Sequence, residues 1–225
     1  MKAGRMSEPQ YSGYINRPRA RLGLRANEWY ETDPRSLLFS LARYEFVAKM
    51  LSGSERVLEV GCGDAWGTRL VQQEVGRVTA VDFDPVFVRD VIERQSEAWP
   101  LDVYVHDILR GPVTTWEGTL FHAVYALDVL EHIAPADEAL FMRNLIDSIE
   151  PGGMLILGTP SKESQAYASA GSRAGHVNCK TGEEFLALMK QYCDPVFTWS
   201  MNDTAVYPGF SPMARYLLAV GMGQY

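Results

Sequence analysis

From Pro34 onward, apolar residues recur at a helical interval. Leu37, Leu38, Leu41, Tyr44, Val47, Ala48 and Leu51 fall near one stripe, and Ser52-Gly53-Ser54 stops it. Short apolar runs then alternate with helical stretches. Val57 to Val60, Val78 to Asp82, Val103 to Val105, Phe121 to Leu127 and Met154 to Gly158 read as strands. Between them, Thr68 to Glu74, Pro85 to about Ala98 and Pro135 to about Ile149 read as helices, with Pro151-Gly152-Gly153 as a turn. Alternation of this kind predicts an α/β fold, a doubly wound and mostly parallel sheet with helices on both faces. Thr181 with Glu184 three residues later forms a capping-box pattern opening a helix to Tyr192. Pro195 to Ser200 and Ala214 to Val220 follow as two strands with no helix between them, which predicts an antiparallel hairpin at the sheet edge. Residues 1–33 are rich in Arg, Gly, Pro and Tyr and show no period, so they are expected to form an arm or lid on a domain spanning 34–225.

The glycine-rich stretch Gly61-Cys62-Gly63-Asp64-Ala65-Trp66-Gly67 sits between a strand and a helix, a general device for holding a nucleotide. Its third glycine falls one residue late for G-x-G-x-x-G, so the dinucleotide fingerprint is not met. Three acids stand at strand ends on the edge where open α/β sheets bind ligands. Glu59 precedes the loop, where a carboxylate attracts a ligand's ammonium. Asp82 ends the second strand, 21 positions after Gly61, and Asp107 follows the third. Such acids can accept hydrogen bonds from ribose hydroxyls and an adenine amine.

Composition narrows the partners. The formal net charge of −7 disfavours nucleic acid, which calls for a basic stripe. The one basic cluster, Arg17, Arg19, Arg21 and Arg25, is either a solvated segment or an anion-binding one. Cys62, Cys179 and Cys193 show neither metal-ligand nor disulfide spacing. No apolar run is long enough to span a membrane, and the N-terminus lacks a secretory pattern, so a cytoplasmic location is expected. Oligomeric state stays open.

The motifs together resemble class I S-adenosylmethionine-dependent methyltransferases, most closely the small-molecule enzymes of the ubiquinone-pathway type. Val57-Leu58-Glu59-Val60-Gly61-Cys62-Gly63 resembles their first motif, Val81-Asp82 the second and His106-Asp107-Ile108 the third. Tyr125 to Ile133 resembles the fourth, and Pro151-Gly152-Gly153 the turn before the fifth strand. The resemblance runs from about Arg43 to Tyr192. It implies a seven-stranded sheet with an antiparallel last strand and S-adenosylmethionine as cofactor. By the same resemblance Glu59, Gly61 and Gly63 hold the methionine part, and Asp82 binds ribose with Phe83 beside adenine. Asp107 and Ile108 contact adenine, Leu127 passes near the sulfonium, and Arg43 matches an arginine that contacts the cofactor carboxylate.

On the acceptor side, Asp128, Glu131 and His132 stand at i, i+3 and i+4, so on a helix they share a face, and His176 recurs 44 residues later. Three readings are open: His132 or His176 as a metal-free general base, which is preferred; a divalent-metal site; or packing and capping roles. The metal reading resembles the constellations of small-RNA 2′-O-methyltransferases and of ubiquinone-pathway enzymes, with Asp128 where those carry Glu. Trp29-Tyr30, Tyr11 and Tyr14 are candidates to close over an acceptor, and Asn202 and Asp203 to hydrogen-bond it. The expected activity is methyl transfer to a small polar acceptor, an oxygen of a sugar, nucleotide-linked sugar or other biosynthetic intermediate. The alternatives are an RNA-end 2′-O-methyltransferase and a non-catalytic nucleotide-binding regulator.

Overall fold

The computed structural model describes Gly13 and residues 19–209 and 211–223; Tyr11, Tyr14 and Arg17 lie outside the described residues. Five parallel strands carry the glycine loop and its acids: β1 (Arg56–Val60), β2 (Arg77–Asp82), β3 (Asp102–Val105), β4 (Phe121–Leu127) and β5 (Ile149–Pro160). β6 (Val196–Met201), β7 (Val206–Tyr207) and β8 (Tyr216–Met222) extend the sheet in the order β3-β2-β1-β4-β5-β8-β6-β7. β8 lies antiparallel to both β5 and β6, so the predicted edge hairpin forms with the last strand inserted inward. The eighth strand, beyond the seven expected, is the two-residue β7, which pairs Ser200 with Tyr207 and Met201 with Val206.

Helices pack on both faces. On one, α2 (Pro34–Met50) places Ala42, Phe46, Val47 and Ala48 against Val57, Tyr125 and Ile156. Asp33 opens this helix by accepting from the Arg35 N–H, and Pro34 has no donor to leave unsatisfied. On the other face, α5 (Glu138–Ile146) and α7 (Gly182–Met189) bury Phe141, Met142, Leu145, Phe185, Leu188 and Met189 against Leu58, Val124 and Leu155. The capping box of α7 forms as its sequence predicts, Thr181 and Glu184 each accepting the other's backbone N–H. α3 (Thr68–Gln72) follows the glycine loop, and α4 (Pro85–Arg94) begins at the Asp84 cap. α4 stops short of Ala98 because Gln95 adopts extended backbone and its side chain caps Leu101 O.

Two local forms differ from expectation. Pro151-Gly152-Gly153 is an irregularity inside the long β5, where the register against β4 shifts between Phe121 and Ala123. The stretch before Pro34 contains a helix, α1 (Leu24–Thr32), with Ala26 its one buried residue. α6 (Ala170–Gly175) is a short helix between β5 and α7 that ends at His176. No helix among the described residues is long and apolar enough to cross a membrane.

Candidate active site

The sheet order reverses between β1 and β4, and a cleft of about 500 Å³ opens at their C-terminal ends. That position and size suit a small-molecule site. Gly61, Gly63, Asp82, Phe83, Asp107, Ile108, Leu127, Asp128 and His132 all line it. Strand register explains the convergence, since Val60 pairs with Val81 and Ala126, and Asp82 with Val105.

The loop is built for close approach. Gly61 and Gly63 hold φ of +75° and +52°, a region that penalises residues with a Cβ. A Cβ at Gly61 would collide with Val129 Cγ2, whereas one at Gly63 would meet no protein atom within 4 Å. Gly63 therefore leaves its space to the cleft. Gly61→Ala should lose roughly 2–5 kcal/mol of stability, from left-handed strain plus overpacking. Adding Val129→Ala should restore the overpacking part alone. Denaturant midpoints that fail to move in the single variant would contradict this.

The buried Asp82 carboxylate accepts the Gly63 N–H at 2.8 Å and the Asp84 N–H at 2.9 Å, so it shapes the loop while lining the cleft. Asp107 accepts the Leu109 N–H at 3.0 Å, which starts a short 3-10 turn and sets Ile108 into the cleft wall. Phe83 is 73% exposed at the rim, and Phe87 joins it. These residues fit S-adenosylmethionine: two carboxylates suit ribose and adenine donors, an aromatic edge suits the base, and Gly63 leaves room for backbone contact.

The structure arranges three sets of candidates differently from the expected geometry. Glu59 does not line the cleft; it is buried behind the loop, accepting from Tyr44 OH at 2.9 Å and Thr68 Oγ1 at 2.6 Å. Arg43 does not line it either. Its guanidinium pairs with Asp128 and lies over the rings of Phe39 and Tyr216. Asp128, Glu131 and His132 do not share a helical face. Asp128 has φ +58°, and only the 3-10 turn Leu130–His132 follows, so the carboxylate turns to Arg43 instead.

Burial lifts Glu59 to about 7; the hydroxyls of Thr68, Tyr125 and Tyr44 oppose the rise, and the charge of Asp82 adds to it. An acid raised in the folded state contributes stability below its ordinary value of 4.5 and loses it as pH climbs toward 7. Denaturation midpoints should fall across that window, and Glu59→Gln should flatten the slope. An unchanged slope in the variant would contradict the assignment.

Beside the cleft, Glu131, His132 and His176 bring one ligand atom each within 4.8 Å of one another, and of the three His132 lines the cleft. His132 Nδ1 meets Gly175 O at 3.0 Å. A carbonyl only accepts, so Nδ1 carries the proton and neutral His132 keeps its lone pair on Nε2. His176 Nδ1 meets Gln165 Oε1 at 2.9 Å, and the two imidazole centres are 5.1 Å apart. Desolvation, then His132, holds His176 below its ordinary value. Glu131 is raised by burial and by Asp128; Oε2 accepts from Thr159 Oγ1, and the buried Oε1 has no hydrogen-bond partner. Oε1 lies 4.0 Å from His132 Nε2. Two imidazoles and a carboxylate fit either proton transfer or a divalent cation.

Other candidates fall elsewhere. Trp29 lines a smaller cavity beside the loop, while Tyr30 is exposed. Asn202 donates to Tyr207 OH and Asp203 accepts the Ala205 N–H, which are turn roles. Sequence reasoning missed Asp64, whose Oδ2 accepts the Ala26 N–H at 2.8 Å and ties α1 to the glycine loop. Its place inside the loop is the only signal the sequence offers.

The chain matches the family model described as a methyltransferase domain over residues 29–192. It belongs to this family of class I, S-adenosylmethionine-dependent methyltransferases. It is 30% identical over 149 residues to a ubiquinone biosynthesis O-methyltransferase of Xanthomonas axonopodis pv. citri, covering 64% of this chain and 61% of that protein. Identity to the mitochondrial ubiquinone biosynthesis O-methyltransferase of Schizosaccharomyces pombe is 26% over 164 residues, covering 68% and 58%. The chain thus spans about three-fifths of the length of these relatives. The N-methyltransferase NodS from Bradyrhizobium japonicum WM9, solved with S-adenosyl-L-homocysteine, shares the fold. Its TM-score is 0.61 at 19% identity, covering 87% of this chain and 91% of that one.

Proposed function

We propose that this methyltransferase transfers the methyl group of S-adenosylmethionine to an oxygen of a small polar acceptor, a sugar, nucleotide-linked sugar or other biosynthetic intermediate. The observation that carries the reading is one cleft with two chemical ends: Gly63, Asp82 and Asp107 at one, His132 at the other. The cofactor, when bound, supplies an electrophilic methyl group on a sulfonium. The chain's own task is to orient the acceptor and take its proton. His132 Nε2 is the accepting atom. The buried Glu131 Oε1 lies 4.0 Å from that nitrogen. The O-methyltransferase relatives support oxygen as the methylated atom, and the net charge of −7 favours a small molecule over RNA.

Calorimetry should show S-adenosylmethionine and its demethylated product each binding one site per chain. Absence of binding by both would remove the enzymatic reading and revive the regulatory one. The clustering of Glu131, His132 and His176 favours a second version with a divalent cation. Exhaustive chelation decides between the two: full turnover afterwards is expected, and a loss restored by added magnesium would establish the metal.

A further inference from the structure

Arg25 has no carboxylate partner among the described ion pairs, yet it lines both the cleft and the smaller cavity beside the glycine loop. It is the only arginine or lysine among the described residues lining either space. The neighbouring cations are already bound. Arg43 is paired with Asp128, and Arg94 donates to Asp90 at 2.8 Å and to Asp64 O at 2.5 Å. The smaller cavity joins Arg25 to Leu127, Asp128 and the two glycines, Gly61 and Gly63, that the cofactor reading assigns to the methionine part. Resting on the cofactor reading above, we propose that Arg25 binds the α-carboxylate of S-adenosylmethionine, in place of Arg43.

The arm positions this arginine. Asp64 takes the Ala26 N–H, and Gly23 lies so close to the Asp64 side chain that any Cβ there would overlap it. The guanidinium sits 5.3 Å above the Trp29 ring, which restricts it without neutralising it. A planar guanidinium held this way presents paired donors to a carboxylate. The basic arm is therefore partly a cofactor element, and the loop that cradles the nucleoside also fixes the charge for the amino-acid end.

The test compares calorimetric affinities of S-adenosylmethionine and decarboxylated S-adenosylmethionine, which keeps the sulfonium, nucleoside and ammonium. The native chain should prefer the carboxylated form by roughly 10- to 100-fold, as charge-assisted hydrogen bonds warrant. Arg25→Gln should reduce that preference to near unity while leaving the decarboxylated form's affinity unchanged, and Arg25→Lys should retain part of it. Equal weakening of both compounds in Arg25→Gln would overturn the proposal, showing that the arginine only supports the arm. So would an intact preference in Arg25→Gln, or loss of the preference in Arg43→Gln alone. Failure of the native chain to bind either compound would strike the cofactor reading itself, a separate result.

Discussion

His132→Ala is expected to lower turnover by about 100-fold or more while S-adenosylhomocysteine affinity stays within about twofold, as loss of a general base does. His132 reaches the cleft and keeps a free Nε2 because its Nδ1 proton is committed to Gly175 O. His176 does not line the cleft. It packs edge-on against His132 and is anchored by Gln165, so His176→Ala should cost about 10-fold, through loss of ring placement. Turnover is read with methyl-tritiated S-adenosylmethionine on the best acceptor from a panel of sugars, nucleotide-linked sugars and hydroxylated aromatics. Imidazole in the buffer should partly restore His132→Ala, because it supplies the missing base; a variant defective through folding would gain nothing. Activity unchanged by both substitutions would remove the histidines from the chemistry.

The glycine-loop end of the cleft was legible because its signals are backbone demands. Gly61 and Gly63 adopt left-handed φ, and Asp82 and Asp107 lie where two strands end. Spacing along the chain translates directly into that geometry. The histidine end obeys no such rule. The i, i+3, i+4 pattern of Asp128, Glu131 and His132 presumes a helix, and one residue at positive φ breaks it. Arg43 shows a second limit: sequence places an arginine near the cofactor motif but does not say that Asp128 turns toward it. Glu59 shows a third, since Tyr44 and Thr68 close over it from two different helices.

The same contrast holds in the fold. α2, α7 and four of the five parallel strands carry apolar periodicity and appear where the pattern puts them, whereas β5 begins at Ile149, ahead of the expected Met154. α1 carries almost none. Its backbone is fixed by Asp64 across the loop, a contact between residues 38 apart that no window along the chain contains. β7 exists only as two residues added to β6. Elements held by tertiary hydrogen bonds rather than by their own burial are the ones sequence pattern leaves out.

Asp82→Ala should weaken S-adenosylhomocysteine binding by on the order of 100-fold or more, because one carboxylate serves two structures at once. Its Oδ2 holds the Gly63 N–H and its Oδ1 the Asp84 N–H, inside a residue only 6% exposed. Truncation leaves two backbone donors without an acceptor, each worth about 1–3 kcal/mol where water cannot replace it. It also removes the acceptor proposed for the ribose hydroxyls. Asp82→Asn separates the two roles. An amide keeps one oxygen for a loop N–H but turns a donor toward the other, so the loop is partly preserved while the charge is lost. The native chain, Asp82→Asn and Asp82→Ala should therefore rank in that order for S-adenosylhomocysteine by calorimetry. Adenosine should follow the same order, since it keeps the ribose and lacks the amino-acid end. Wild-type affinity in Asp82→Ala would show that the loop holds itself and that the ribose is bound elsewhere.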